Sequence, residues 1–149
     1  MAAGRILVFM DADSRMSVGL LDAVIRHVAA GERSASIRIT ADSDDLIDRG
    51  FFGLLEFGKR LFRIRANMFA CERALFSELG GFDEELNHAE DVEFLRRAAS
   101  TGVRIGHIHE AWIATSPRRL RQGRWRSGTL RVFGRWALGH VGIGRRWPY

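Results

Sequence analysis

The stretch Ile6-Leu-Val-Phe-Met-Asp-Ala-Asp-Ser14 decides the fold. It begins with a short apolar run bounded by polar residues, a pattern that predicts a buried β-strand. Asp11 and Asp13 follow at once, and an open α/β sheet binds ligands outside the carboxyl ends of its strands. If the chain stays extended there, both side chains lie on one side of it. Paired carboxylates suit Mg²⁺ or Mn²⁺, which can neutralise a diphosphate; the alternative is an Asx turn that ends the strand.

Length and composition predict a single soluble domain. The chain has 149 residues, 46% hydrophobic and 28% charged, which is enough to bury a core. Its apolar runs are shorter than a membrane span, and its first residues lack the features of a signal peptide. The single cysteine, Cys71, fits a reducing compartment. We therefore expect a cytoplasmic protein in which Cys71 is a small buried hydrophobic residue.

Basic residues are concentrated at the end of the chain. Residues 116–149 contain nine of the 23 basic residues and no acidic residue, leaving 14 basic against 18 acidic residues elsewhere. Residues 122–149 form a tail in which arginine is mixed with Trp125, Trp136 and Trp147. Such a tail fits contact with nucleic acid or with an anionic membrane surface, and the alternative is a general arginine bias that would give the same count.

Hydrophobic spacing and turn residues predict the remaining elements. The first is an amphipathic helix between an N-cap at Ser17 and Gly31, with Val18, Leu21, Val24, Ile25 and Val28 on its apolar face. The others are, in chain order, a half-exposed strand over Ser34–Thr40, a broken or mobile helix over Leu46–Arg65, a strand over Ala66–Ala70, a helix over Glu72–Leu79, a helix over Glu90–Ser100, and strands over Val103–Ile108 and Ala111–Ala114.

Two acidic motifs lie near the start of the last predicted helix, one before it and one in its first turn. Gly80-Gly-Phe-Asp-Glu84 contains a glycine pair that permits a sharp turn. Glu90 and Asp91 lie in the first turn of a helix, where the helix dipole favours carboxylates. One interpretation is that they only stabilise the helix; the other is that Asp91 is a general base beside an acceptor.

Cationic residues follow the last strand. Arg118 and Arg119 can clamp a phosphate or can be an ordinary solvated pair. His107 and His109 alternate on a strand, so they share one face, and one of them is a candidate metal or phosphate ligand.

The order of these motifs closely resembles that of the inverting family-two glycosyltransferases of the GT-A fold. The resemblance covers about Arg5 to Arg121, and its most specific part is Gly80–Glu84 followed by Glu90-Asp91. It implies a partial GT-A, Rossmann-like mixed sheet flanked by helices, with residues 1–121 as the C-terminal part of the domain. It also implies that the N-terminal nucleotide-binding strands of the family are lacking. The expected explanation is a fragment of a longer enzyme, with an inactive relative or a complementing chain as alternatives.

The resemblance implies a role for each motif. Asp11 and Asp13 hold Mn²⁺ or Mg²⁺ on the diphosphate of a nucleotide-sugar donor, and Asp91 deprotonates a hydroxyl acceptor. Residues on the acceptor side are Gly80, Gly81, Phe82, Asp83, Glu84 and Glu90, and those near the donor diphosphate are Arg118, Arg119 and His109. The acceptor is a lipid-linked molecule, a glycan or a small molecule.

Three further expectations follow from the resemblance. We expect this chain to be weak or inactive in catalysis, because the base and ribose site is missing. We expect its sheet edges to favour self-association. The basic tail suggests the hypothesis that the protein lies at the inner face of the membrane.

Two other function classes fit part of the sequence. A haloacid-dehalogenase-like phosphatase also places Asp-x-Asp after a strand, with Asp11 as the nucleophile, and needs a later lysine, for which Lys59 is the sole candidate. A non-catalytic module would bind a membrane or nucleic acid through the tail alone.

Overall fold

The computed structural model describes residues 3–61, 68–86 and 89–121, and these form a five-stranded mixed sheet flanked by helices. The predicted α/β class is therefore confirmed, while the predicted tail over 122–149 lies outside the described residues. The elements are β1 (Ile6–Phe9), β2 (Ser14–Met16), α1 (Leu20–Ala29), β3 (Ser34–Ala41), α2 (Leu46–Leu61), β4 (Phe69–Glu72), α3 (Arg73–Glu78), α4 (Glu90–Ser100) and β5 (Ile105–Thr115), followed by a 3₁₀ turn over Pro117–Arg119.

The strand order places three carboxyl ends together. The order is β1-β4-β3-β5-β2, with β3 and β5 parallel and the other neighbours antiparallel. Because β4 is antiparallel to both β1 and β3, strands β1, β3 and β5 all run in one direction. The connection that carries Asp11 and Asp13 leads from β1 at one edge to β2 at the other. It therefore starts at the end of the sheet where α/β proteins bind ligands.

Two hydrophobic clusters hold the layers together. One joins α1 and α2 to the sheet through residues such as Val24, Ile37 and Phe52. The other joins α3 and α4 to β4 through Phe69, Cys71, Leu75, Phe94 and Leu95. Cys71 is fully buried, as expected, and burial raises the pKa of its thiol to about 12.

The first helix is shorter than predicted, and the face that it buries differs from the predicted one. It begins at Leu20 after Gly19, and the Ser17 hydroxyl accepts a hydrogen bond from the Trp112 N–H of β5 at 2.9 Å instead of capping the helix. Its buried residues are Leu20, Ala23 and Val24, whereas two residues of the predicted apolar face, Leu21 and Ile25, are 53% and 56% exposed. The predicted end is confirmed, since Gly31 has the positive φ of 86° that follows many helices.

The predicted break in the second helix is wrong. Leu46–Leu61 is one continuous helix, although it contains Gly50, Gly53 and Gly58. The Asp45 carboxylate caps its first turn by accepting from the Ile47 N–H at 2.8 Å. Burial of its inner face offsets the cost of about 1 kcal/mol for each helical glycine. No described helix combines the length and apolarity needed to cross a membrane.

The central strands also differ from prediction. Residues 34–37 of β3 are all buried, so side chains on both faces of the strand are covered and it is not half-exposed there. The two predicted strands over Val103–Ile108 and Ala111–Ala114 are one strand, β5, with a register shift: Ile37 pairs with Ile108 and Arg38 with Trp112. The sequence pattern located the irregularity, which is a bulge and not a gap. Of the predicted strand over 66–70, the described part begins at Phe69 and extends to Glu72.

Candidate functional site

The two aspartates after β1 lie in a tight turn. The Ser14 N–H donates to the Asp11 carbonyl at 3.1 Å, which closes a four-residue turn over Asp11–Ser14. The expectation that the extended conformation continues through Asp13 is therefore wrong. Both aspartates are exposed, and the side chain of Asp13 is 45% accessible. The two carboxylates therefore lie within one exposed turn.

Two arginines form contacts with carboxylates near this turn, at the carboxyl ends of the parallel strands. The 3₁₀ turn after β5 begins at Ser116, whose hydroxyl accepts from the Arg118 N–H, and the Arg118 guanidinium lies 3.9 Å from the Asp13 carboxylate. Arg15 forms an ion pair with Asp42, the residue after β3. The structure thus places Arg118 beside Asp13 and Arg15 beside Asp42. The side chain of Arg119 lies outside what the structure describes.

His109 contacts a different part of the molecule. It lies in the bulge of β5, where its Nδ1 is 2.9 Å from the Arg60 guanidinium on α2. Burial, together with the neighbouring His107 ring and Arg60 guanidinium, holds the pKa of His109 below its ordinary value. Its contacts therefore give no support to the predicted place at the donor diphosphate beside Asp13.

The glycine-rich loop has a defined shape. Gly80 and Gly81 have φ values of 77° and 75°, and a Cβ on Gly81 would lie 3.3 Å from the Phe76 ring. Within the loop, the Asp83 carboxylate accepts from the Glu85 N–H at 3.0 Å, which is an Asx turn. Asp83 therefore has a structural task in shaping the loop, and Glu84 is exposed.

An aromatic cluster connects the predicted metal-binding and acceptor motifs. The Phe82 ring of the glycine-rich loop packs 5.0 Å from Phe9 and 5.9 Å from Phe94. Phe9 lies two residues before Asp11, and Phe94 lies three residues after Asp91. The loop, the end of β1 and the first turns of α4 are therefore held in one packed unit.

The start of α4 agrees with the sequence prediction. The helix begins at Glu90, its N-cap is Ala89 with φ 58°, and no side chain caps it. Glu90 and Asp91 lie in its first turn and are half-buried. Asp91 therefore does not act as the N-cap residue.

Arg97 is the main residue at this site that sequence reasoning missed. Its guanidinium donates to the carbonyl oxygens of Leu79 and Gly81, the latter at 2.8 Å, and pairs with Glu93 at 2.9 Å. It thereby fastens the glycine-rich loop to α4. The Glu93–Arg97 spacing of four residues is visible in the sequence but is typical of any solvated helix face.

Replacing Arg97 by methionine should free this loop. We expect a loss of about 1–3 kcal/mol in the free energy of unfolding, because two carbonyl groups lose a charged donor, and faster amide hydrogen exchange over residues 79–86. The matched control is Arg96→Met, since Arg96 is exposed on the same helix. Equal exchange rates in the Arg97 and Arg96 variants would contradict the role assigned to Arg97.

A second polar network lies between α2 and the sheet. Glu56 accepts from the Lys59 ammonium at 2.6 Å and from the Ile39 N–H at 3.3 Å. The His107 ring lies 3.6 Å from Glu56 on one side and 2.5 Å from the Ser36 hydroxyl on the other. Ser36 is fully buried, so this serine–histidine–carboxylate series is a structural network with no exposed nucleophile.

The donor set determines which metal the turn can hold. Among residues 3–61, 68–86 and 89–121, no three His, Cys, Asp or Glu side chains are grouped as a protein-only metal site. Mg²⁺ and similar cations are commonly bound by one or two carboxylates, with substrate phosphates and water as the other ligands. The Asp11–Asp13 turn fits that mode.

Comparison with models of known protein families and with curated proteins gave no match.

Proposed function

We propose that this protein is a metal-dependent, inverting glycosyltransferase-like protein that acts on a nucleotide-sugar donor and a hydroxyl acceptor. The observation that carries the proposal is the Asp13–Arg118 approach of 3.9 Å, in an exposed turn reached from the carboxyl end of β1. A carboxylate pair and an arginine at such a place suit a metal-bound diphosphate. The resemblance in motif order to the family-two glycosyltransferases supports the same chemistry.

The donor half of the proposal rests on charge. A departing nucleoside diphosphate carries concentrated negative charge, and a divalent metal supplies the positive charge that neutralises it. Asp11 and Asp13 would hold Mn²⁺ or Mg²⁺, and Arg118 would meet a phosphate oxygen. The Arg15–Asp42 pair would fix the far side of the same turn.

The acceptor half rests on Asp91. Attack by a hydroxyl group on the anomeric carbon requires removal of its proton as the new bond forms. Asp91 would accept that proton, and the loop from Gly80 to Glu84 would shape the space for the acceptor. The aromatic cluster and Arg97 support this assignment, because they hold the loop and α4 in a fixed relation to β1.

Nucleotide titration tests the donor site. We expect UDP or GDP to bind in the presence of Mn²⁺ and more weakly in the presence of EDTA. Asp13→Asn should weaken the Mn²⁺-dependent binding about 10- to 100-fold, the value of one charge-assisted contact. The control is Asp22→Asn, an exposed carboxylate on α1. Equal affinities for the two variants, or binding that ignores the metal, would overturn the donor site.

The phosphatase alternative gains no support from Lys59. A dehalogenase-like site needs a lysine beside the nucleophilic aspartate, but the Lys59 ammonium is buried under α2 and bonded to Glu56. The tail-based alternatives concern residues outside the described part of the chain.

A further inference from the structure

The outer face of α2 exposes an apolar stripe. Ten large hydrophobic side chains are notably exposed in the described residues, and five of them lie on this one helix. Ile47, Leu54 and Leu61 are seven residues apart, which places them along one side of the helix, and each is more than 60% exposed. Phe57, 62% exposed, and Leu46, 81% exposed, widen the stripe. A row of exposed apolar side chains along one side of a helix is typical of a surface that binds a partner or a membrane.

Arginines border the stripe. A groove of about 400 Å³ runs beside α2, and Phe57 forms part of its wall. Arg38 from β3 and Arg49 and Arg60 from α2 line the same groove. In the part of the chain that the structure describes, none of these three guanidinium groups is within ion-pair distance of a carboxylate. Their charges remain available to a ligand.

The other polar groups of the groove do not neutralise the charge of these arginines. Glu56 is the one carboxylate in its lining, and the adjacent Lys59 ammonium balances its charge. His109 bonds to Arg60 through Nδ1, so it orients that guanidinium. The groove therefore carries a surplus of positive charge directly beside exposed leucine and phenylalanine side chains.

We propose that α2 and its arginine groove form a docking surface for an anionic phospholipid membrane. The helix would lie along the membrane surface, with Leu54, Phe57 and their neighbours in the boundary between headgroups and acyl chains. The arginines would bond the lipid phosphates, since planar guanidinium groups suit phosphate oxygens. This surface is distinct from the Asp11–Asp13 turn, so the proposal stands or falls independently of sugar transfer.

A fluorescent label on α2 tests the proposal with the full chain. Leu54→Cys is labelled with an environment-sensitive thiol dye; Cys71 is buried and its thiol pKa is raised, so it does not compete for the dye. The probe is a vesicle of equal parts phosphatidylglycerol and phosphatidylcholine. We expect the dye at position 54 to become brighter and blue-shifted. Ile25→Cys on α1, of similar exposure, is the matched control and should not respond.

Variants and competing anions show whether vesicle binding depends on the arginines, on the lipid charge or on phosphate alone. We expect Arg38→Gln with Arg49→Gln to weaken vesicle association about tenfold or more, and pure phosphatidylcholine vesicles to give no response. Inorganic phosphate at the same ionic strength as a chloride control should displace little, because it lacks acyl chains. The proposal would be overturned if the protein floated with the vesicles in a density gradient while the fluorescence of the dye at position 54 did not change. It would also be overturned by self-association that Leu54→Ser abolishes while vesicle binding stays intact, since a second copy would then cover α2.

Discussion

Replacing Glu56 by glutamine is expected to lower the free energy of unfolding by about 3–5 kcal/mol, because it removes the negative charge that lies beside the buried Lys59 ammonium. Lys59 is only 1% exposed, and the two groups are 2.6 Å apart. Glutamine keeps the size of the side chain and an oxygen that can accept from the Ile39 N–H. The substitution therefore removes the charge and little else.

The chain provides a convenient measurement of this effect. Lys59 is its sole lysine, so a lysine-specific protease has one site, and that site is buried in α2. Cleavage requires local or global unfolding, so the rate of the single cut reports the population of open molecules. The Glu56→Gln variant should be cut much faster than the wild type at equal protease concentration.

A double variant separates the ion pair from general packing damage. Replacing Lys59 by methionine together with Glu56→Gln removes both charges and keeps the volume, which often restores the stability lost in a single variant. Because this variant lacks the protease site, its stability is measured by urea unfolding beside the single variant. A double variant as unstable as Glu56→Gln would contradict the assignment of the loss to the broken Glu56–Lys59 ion pair.

Acid titration gives a second measurement of the same group. Burial alone would raise the pKa of Glu56, but the His107 ring, the Lys59 ammonium and the Ile39 N–H outweigh it and hold the pKa below its ordinary value of 4.5. A carboxyl with a lower pKa in the folded chain adds stability above its unfolded pKa and loses it as the pH falls through the folded one. The wild type should therefore lose stability below about pH 4.5 over a range in which Glu56→Gln changes less.

Local patterns in the sequence predicted the features that depend on few neighbours. The apolar run of β1, the start of α4 at Glu90 and the positive φ of Gly31 follow from short-range chemistry, namely strand periodicity, helix-terminus charge and glycine freedom. The burial of Cys71 follows from its type. These predictions needed no information about strand order.

Features that depend on tertiary partners were not predictable. The three-residue strand β2 exists because β5 pairs with it. The Ser17 hydroxyl accepts from the Trp112 N–H of β5 and does not cap α1. The glycines of α2 indicate a break, but packing of the inner face decides the outcome. The contact between Arg60 and His109 joins residues 49 positions apart, across a bulge that the sequence pattern showed only as an interruption.

The candidate site shows the same division. The motif order singled out Asp13 and Arg118 separately, and the 3.9 Å between their side chains is visible only in the structure. It did not identify Arg97, because a Glu93–Arg97 pair looks like surface charge until the carbonyl oxygens of the loop are seen beside it. A residue that positions a loop is recognised from its tertiary contacts. Its amino-acid type and its spacing in the sequence do not reveal those contacts.

Replacing Asp91 by asparagine is expected to lower whatever sugar transfer the protein shows by about 100- to 10,000-fold, while Mn²⁺-dependent nucleotide binding stays within twofold, because a general base acts on the acceptor proton and not on the donor. The reaction is followed under single-turnover conditions, with protein in excess over a mixture of UDP- and GDP-linked sugars and a hydroxyl acceptor such as a glycoside. Released nucleoside diphosphate and the anomeric configuration of the product are both measured, and inversion is expected.

Two neighbouring carboxylates serve as controls for Asp91. Glu90→Gln removes a charge from the same first turn of α4, so an effect of the helix dipole alone would appear equally in both variants. Asp83→Asn tests the loop, whose Asx turn asparagine can still form. If Asp91→Asn transferred sugar at the wild-type rate, Asp91 would not be the base. If the wild type bound Mn²⁺ and nucleotide but transferred no sugar, the chain would be a donor-binding protein without catalysis, in agreement with the weak or absent activity expected from its sequence.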